Sequence, residues 1–151
     1  MNDISGTLDG GGLHVGVAVA RWNQTVTDKL LSGAIQRLEE MGVADVTIVR
    51  VPGALELPVA CRALANRGCD AVVAIGVVIK GETDHYEIVV RESSAGVSRV
   101  ALDTGIPVAN AILAVHDPND AMARAGSGDS NKGVEAAEAA VETANALAAL
   151  G

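Results

Sequence analysis

A glycine, a hydroxyl and a histidine follow one another directly before a predicted helix. The segment reads Gly81-Glu82-Thr83-Asp84-His85. Free backbone N–H groups at a helix start, beside a glycine and a hydroxyl, form a cradle for an anion. A histidine at this point is placed to transfer a proton, although a lone histidine is more often structural. We therefore take His85 as the candidate acid–base residue and residues 81–83 as a candidate anion site.

Two cations further along the chain bracket a glycine-bearing loop. Arg124 and Lys132 stand on either side of residues 125–131. Both side chains could simply be solvated, one of them at a helix end. Arginine, however, binds phosphate through paired hydrogen bonds. A chain with a formal charge of −8 needs such a focused cation if it holds a phosphorylated substrate.

The exits of the first two predicted strands carry residues suited to a planar ligand. Trp22, the only tryptophan, leaves the first strand, where its indole could stack on a heterocycle or simply pack. Gly53 and Ala54 open a helix after the second strand, and their small size lets a ligand approach free N–H groups. Glu56 fits two roles equally well, as a favourable partner of the helix dipole or as an acceptor for ligand hydroxyls.

Strand and helix patterns alternate along the whole chain. This alternation predicts an α/β three-layer sandwich, flavodoxin-like, with a four-stranded parallel sheet covered by helices on both faces. Ligands of such sheets bind beyond the carboxyl ends of the strands, where most of the residues above fall. We expect one domain over residues 13–151 after a flexible segment, residues 1–12. The predicted strands are 13–20, 46–51, 71–79 and 107–115, and the predicted helices are 26–41, 57–67, 85–103, 120–124 and 132–150.

Composition excludes several classes of function. The charge of −8 opposes binding to nucleic acid. No apolar run approaches the roughly 18 residues of a membrane span, and the first residues do not resemble a leader, so we expect a cytoplasmic protein. We expect Cys61 and Cys69 to be reduced packing residues. His14 and His116 are weaker candidates, because neither has partners at metal-ligand spacing.

The chain contains no Phe, one Trp and one Tyr. Aromatic side chains normally supply much of the buried area of a core. Val, Leu, Ile and Ala must do so here, and Ala buries little surface per residue. This composition favours additional burial between subunits.

Several of these segments, taken together and in order, resemble the lumazine synthase family. The third is the most specific, and the match extends over nearly the whole chain. The segments are Arg21-Trp22-Asn23 with Thr27, residues 51–58, residues 75–86, residues 106–108, residues 121–126 and Asn131-Lys132-Gly133.

The resemblance implies a transferase reaction. In it, 5-amino-6-ribitylaminouracil condenses with 3,4-dihydroxy-2-butanone 4-phosphate, and phosphate and water leave. The product, 6,7-dimethyl-8-ribityllumazine, is the precursor of riboflavin. No metal or redox cofactor takes part.

The resemblance also assigns roles to matched positions. Trp22 would stack on the pyrimidine, and the backbone of Val77, Val78 and Ile79 would meet its polar edge. Ala54 and Glu56 would meet the ribityl chain. Gly81, Glu82 and Thr83 would hold the phosphate, and His85 would move protons. Arg124, Asn110 and Lys132 would come from a neighbouring subunit.

Family members work as homo-oligomers with sites between adjacent subunits. We therefore expect at least a homopentamer, and we favour a sixty-subunit icosahedral capsid over a lone pentamer. The reason is that the link from Arg124 to Lys132 lacks the extra residues often seen in smaller assemblies. Riboflavin synthase is a candidate partner.

The chain departs from the family pattern after the fourth strand. Ala111, Leu113-Ala114-Val115 and Asn119-Asp120-Ala121 replace a Gly, a Leu-Thr-Thr and a Glu-Gln-Ala. Glu82 adds a negative charge to the phosphate loop. These departures keep open an alternative, a non-catalytic relative that binds flavin or forms a shell. An electron carrier of the flavodoxin type fits less well, because the aromatic pair that flanks its flavin is missing.

Overall fold

The computed structural model describes residues 1–151, with the side chains of all of them except Asp129. It confirms the predicted α/β sandwich with a four-stranded parallel sheet, and helices cover both faces of this sheet. The strands are β1 (His14–Ala20), β2 (Asp45–Val51), β3 (Ala71–Ile79) and β4 (Val108–Val115), and the helices are α1 (Gln24–Glu40), α2 (Leu57–Asn66), α3 (His85–Thr104), α4 (Pro118–Ala123) and α5 (Lys132–Leu150). The strand order in the sheet is β2-β1-β3-β4.

Strand β3 lies at the centre of the sheet and is buried on both faces. Eight of its nine residues are buried, and Ile79 at the end is half-buried. It pairs with β1 on one side and with β4 on the other. A continuous apolar run of this length is what a parallel strand covered on both faces requires.

Two aliphatic cores lie on the two faces of the sheet. One packs Val15, Val17 and Val19 against α1 and α5. The other packs Ala18, Val72 and Ala74 against α2 and α3. The core is therefore made from Val, Leu, Ile and Ala, as the composition requires.

Helices α2 and α3 leave apolar side chains uncovered. Only Ser93, Val97 and Val100 of the twenty residues in α3 are buried. Val59 of α2 is 69% exposed, and Leu102 of α3 is 86% exposed.

Within the part of the chain that the structure describes, no helix is both long and apolar enough to cross a bilayer.

Two helix starts differ from the sequence prediction. Helix α1 begins at Gln24 rather than Val26, because Asn23 takes a left-handed conformation with φ of 65° and turns the chain directly into the helix. Helix α4 begins at Pro118 rather than Asp120, because the Asp117 side chain accepts a hydrogen bond from the Asn119 N–H (2.8 Å). Proline is favourable at a first helical position, where no N–H partner is needed.

The first twelve residues form neither helix nor strand, yet they lie against the domain. Gly10 donates its N–H to the carbonyl of Met41 at the end of α1 (2.7 Å). Asn145 of α5 donates to the carbonyls of Thr7 and Asp9, each at 2.8 Å. Flexibility of this segment stays a prediction, and these contacts give its position.

Cys61 and Cys69 are buried with free thiols. Burial raises the pKa of Cys61 to about 12. Burial is also the main cause that raises the pKa of Cys69, with Asp45 and Asp70 adding to it. A thiol held in its neutral form is a poor nucleophile, so both cysteines serve packing.

A buried asparagine joins α5 to α1. Asn131 is 3% exposed. Its side-chain oxygen accepts from the N–H groups of Gly133 (2.8 Å) and Val134 (3.3 Å), which caps α5. Its amide donates to the carbonyl of Lys29 in α1 (3.0 Å). Gly33 faces the amide at a distance that leaves no room for a Cβ.

Asn131→Ala should destabilise the protein by about 1–3 kcal/mol, because it removes a helix cap and leaves buried backbone groups without partners. Denaturant unfolding followed by circular dichroism measures this change. The control is Asn119→Ala. Asn119 is exposed and bonds Asp117 through its backbone N–H, so this substitution should change the free energy of unfolding by less than about 0.5 kcal/mol. Equal unfolding midpoints for the two variants would contradict this role of Asn131.

Candidate active site

Trp22 and Gly53 meet at the carboxyl edge of the sheet. The backbone N–H of Trp22 donates to the carbonyl of Pro52 (3.0 Å), and this bond joins the exit of β1 to the exit of β2. The indole lies against Gly53 so closely that a Cβ there would overlap the ring. Trp22 is nonetheless 64% exposed. The structure thus presents an indole surface at the ligand edge, and stacking on a ligand stays a prediction.

Asn23 holds this corner in place, a role that sequence reasoning missed. Its side-chain amide donates to the carbonyl of Val77 in β3 (3.1 Å). Asparagine tolerates the left-handed conformation found here better than most residues, and that tolerance was the available signal. The Val77 carbonyl, expected to face the pyrimidine, already accepts this bond; Val78 is buried and Ile79 is half-buried.

The segment after β2 forms a single 3-10 turn, Ala54–Glu56, before α2 begins. One carboxylate oxygen of Glu56 accepts from the Gly53 N–H (3.0 Å). This contact gives Glu56 a local structural role at the helix start. A bond from Glu56 to a ligand hydroxyl stays a prediction.

The loop after β3 lies fully exposed beside this corner. Residues 81–85 are all exposed, and Lys80 is tied to β4 by its N–H bond to the Val115 carbonyl (2.9 Å). The Thr83 hydroxyl accepts from the His85 N–H (3.4 Å). The candidate anion site and His85 therefore occupy one short turn at the start of α3.

Arg124 and Lys132 lie on opposite arms of one closed loop. The Lys132 N–H donates to the carbonyl of Arg124 (2.8 Å), and Ala125 forms an antiparallel bridge with Asn131. The Arg124 guanidinium donates to the Asp120 carbonyl (3.0 Å), which leaves its charge uncancelled by that contact. The structure thus brings together two cations that the sequence separates by a loop.

Both cations line a groove of about 520 Å³ beside β4. Its apolar floor is residues 112–115, and His116, Asp120, Ser130 and Glu135 complete the lining. Strand β4 is an edge strand, so this groove lies at one end of the sheet. Along the carboxyl edge the order is Gly53, Trp22, the loop of residues 81–85, and then this groove.

Asn110 is separate from these groups. It lies inside β4 rather than at its end, paired with Ala74. Its side chain donates to the Ser94 hydroxyl (3.4 Å) and accepts from the Ile112 N–H (2.8 Å). A contact of Asn110 with a substrate in a neighbouring subunit stays a prediction.

A second groove, of about 640 Å³, runs between α1 and α5. It is lined by charged and polar side chains such as Asp28, Lys29 and Arg37, and by none of the predicted site residues. Its Arg37 bonds Glu138 of α5 at 2.9 Å. The groove therefore lies between two helices on one face of the sheet, beside the loop of residues 125–131, and contains none of the residues of the candidate site.

Known proteins resemble this chain over most of its length. The family model for 6,7-dimethyl-8-ribityllumazine synthase matches residues 12–148. A protein of that name from Paraburkholderia phymatum is 49% identical over 95% of this chain and 83% of its own length. One from Saccharopolyspora erythraea is 50% identical over 91% of this chain and 84% of its own. One from Azoarcus sp. is 43% identical over 98% and 94%.

Trp22 emission should be quenched when riboflavin, a planar heterocycle, is titrated into the protein. The reason is that an exposed indole at the ligand edge can stack on the ring. Fluorescence titration measures this, and because Trp22 is the only tryptophan the signal has one source. The same titration of unfolded protein corrects for absorption by riboflavin. Equal quenching of folded and unfolded protein would separate Trp22 from the ligand ring.

Proposed function

The chain belongs to the 6,7-dimethyl-8-ribityllumazine synthase family, and we propose that it makes this lumazine in pockets shared between neighbouring copies. The substrates are 5-amino-6-ribitylaminouracil and 3,4-dihydroxy-2-butanone 4-phosphate. Two carbon–nitrogen bonds form, each with loss of water, and one carbon–oxygen bond breaks to release inorganic phosphate. The chain is a transferase of riboflavin biosynthesis.

The observation that carries the shared pocket is the division of the site into two parts. Trp22, Gly53 and the loop of residues 81–85 form one part, with stacking, anion-binding and proton-transfer groups. Arg124 and Lys132 form the other, in a groove at the edge strand β4. A groove at the sheet edge is available to a second copy, which would supply the first part.

Each group has one task in this proposal. The indole of Trp22 stacks on the pyrimidine and orients its 5-amino group. Backbone N–H groups at the start of α3 and the guanidinium of the neighbour's Arg124 hold the phosphate. His85 accepts and returns protons while the imine forms and the phosphate leaves.

The uncovered face of α2 and α3 supports a homo-oligomer. Val59 of α2 and Ile88 and Leu102 of α3 are all more than 40% exposed, and so is Leu55 in the 3-10 turn before α2. Exposed apolar groups on two adjacent helices favour burial between copies, because water contact with them is unfavourable. We propose a pentamer as the minimal unit and a sixty-subunit shell as its full assembly. A cytoplasmic location rests on the composition of the chain, and riboflavin synthase as a partner rests on the resemblance.

His85→Ala should lower kcat by roughly 10–10³-fold while leaving assembly intact. General acid–base groups contribute about 10²–10⁴-fold, and water replaces part of a missing imidazole. Formation of the fluorescent lumazine measures the rate, and light scattering verifies the assembly. His14→Ala, at the opposite edge of the sheet, is the matched control. An unchanged kcat in His85→Ala would remove this residue from the mechanism.

Arg124→Ala should raise KM for the phosphorylated substrate by about 10–150-fold and leave KM for the pyrimidine nearly unchanged. The reason is that a hydrogen bond to a charged group contributes about 1.5–3 kcal/mol. Steady-state kinetics with each substrate varied in turn measures the two constants. Equal increases in both would indicate a structural role for Arg124.

Mixing the two weak variants tests the shared pocket itself. In an assembly of His85→Ala subunits alone, every pocket lacks the histidine. In an assembly of Arg124→Ala subunits alone, every pocket lacks the arginine. After dissociation and reassembly together, some pockets receive both native residues, and activity should rise above the average of the two parents. A monomeric mass by light scattering, or no gain after proven subunit exchange, contradicts the shared pocket.

A further inference from the structure

The groove beside β4 begins with a floor that offers no side-chain hydrogen-bond donor. Residues 112–115 are Ile, Leu, Ala and Val, and all four line the groove. His116 follows them directly and is the first residue after the floor with a polar side chain. An imidazole always carries at least one N–H donor, whichever nitrogen holds the proton.

The formal charges of the groove lining offset one another. Lys132 donates to the carboxylate of Glu135 at 3.0 Å. Arg124 sits one turn after Asp120 in α4. Two cations thus accompany two carboxylates in the lining. The formal charges of these four side chains sum to zero, so their net charge attracts a phosphate only weakly. A further side-chain hydrogen-bond donor in the lining therefore contributes a larger share of the binding.

The ring of His116 is oriented by an aromatic neighbour. Its centroid lies 5.8 Å from that of Tyr86, with the two planes at 78°. This edge-to-face arrangement is a favoured geometry for aromatic pairs. Tyr86 belongs to the first turn of α3 and packs against the core on that face of the sheet. The contact therefore favours this orientation of the imidazole while the residue still lines the groove.

We propose that His116 determines specificity for the phosphorylated substrate: a ring N–H of His116 donates to its phosphate, beside Arg124. The inference rests on the proposed function, because it places the phosphate of the four-carbon substrate in this groove. It assigns the task of substrate recognition, and not of proton transfer, to His116.

The test is steady-state kinetics on His116→Ala in the assembled enzyme. KM for the phosphorylated substrate should rise about 10–150-fold, since one donor to a charged group is lost. KM for the pyrimidine and kcat should stay within about twofold, because the contact is made equally in ground and transition states. Inorganic phosphate, used as an inhibitor, should bind less tightly by a similar factor.

Three further variants complete the design. His116→Gln keeps an N–H donor and should recover part of the affinity, whereas His116→Glu adds a like charge and should lose more than His116→Ala. His14→Ala, whose imidazole bonds Thr47 at 2.8 Å on the opposite edge, should leave KM for the phosphorylated substrate unchanged. Tyr86→Leu should raise KM for the phosphorylated substrate less than His116→Ala does, because it keeps the imidazole and removes only its aromatic neighbour.

Two outcomes overturn the inference. One is a wild-type KM for the phosphorylated substrate in His116→Ala. The other is a rise in Tyr86→Leu as large as in His116→Ala, which would mean that the histidine acts only through the tyrosine. Either result leaves lumazine formation by the native protein intact, whereas absence of that activity would instead refute the proposed function.

Discussion

Burial of β3 on both faces is the constraint on which the rest of the molecule depends. Because the strand is apolar from Ala71 to Val78, each face needs a covering layer, and the parallel pairing of β1 and β4 beside it needs crossover helices. These crossovers send every strand exit to the same edge. Trp22, Gly53 and the loop of residues 81–85 lie at this edge because they directly follow the carboxyl ends of β1, β2 and β3.

The core that results is made of small aliphatic side chains. Leu30, Leu38, Leu57 and Ile75 are its largest fully buried members. A core of this kind allows close approach of helices and sheet, but it yields less buried area than one with aromatic residues. Apolar residues on α2 and α3 stay exposed beside this core. Their burial between copies would add to the apolar area that the small core side chains supply, and so association with further copies is favourable.

The sequence predicted the architecture well because periodicity is a local property. The apolar run of β3 and the alternating elements were enough to obtain the sheet and its ligand edge. What the sequence did not predict are contacts between distant residues: Asn23 bonds Val77, which lies 54 positions away, and Asn131 bonds Lys29 across 102 positions. The sequence also did not predict the partners of Asn110, because its pairing with Ala74 depends on the register of β4 against β3. Contacts between copies depend on the surfaces of two chains, and so the proposed pairing of His85 with Arg124 follows neither from the periodicity nor from the fold of one chain.

The hydrogen bond between Lys132 and Arg124 has a consequence for how this protein can vary. Residues 125–131 leave and re-enter the domain at one point, since the two arms are clipped together at 2.8 Å and again by the bridge of Ala125 with Asn131. A change in length between these residues alters the outline of the molecule without shifting either cation. The segment is therefore suited to insertions, and a foreign peptide displayed there would leave Arg124 and Lys132 in register.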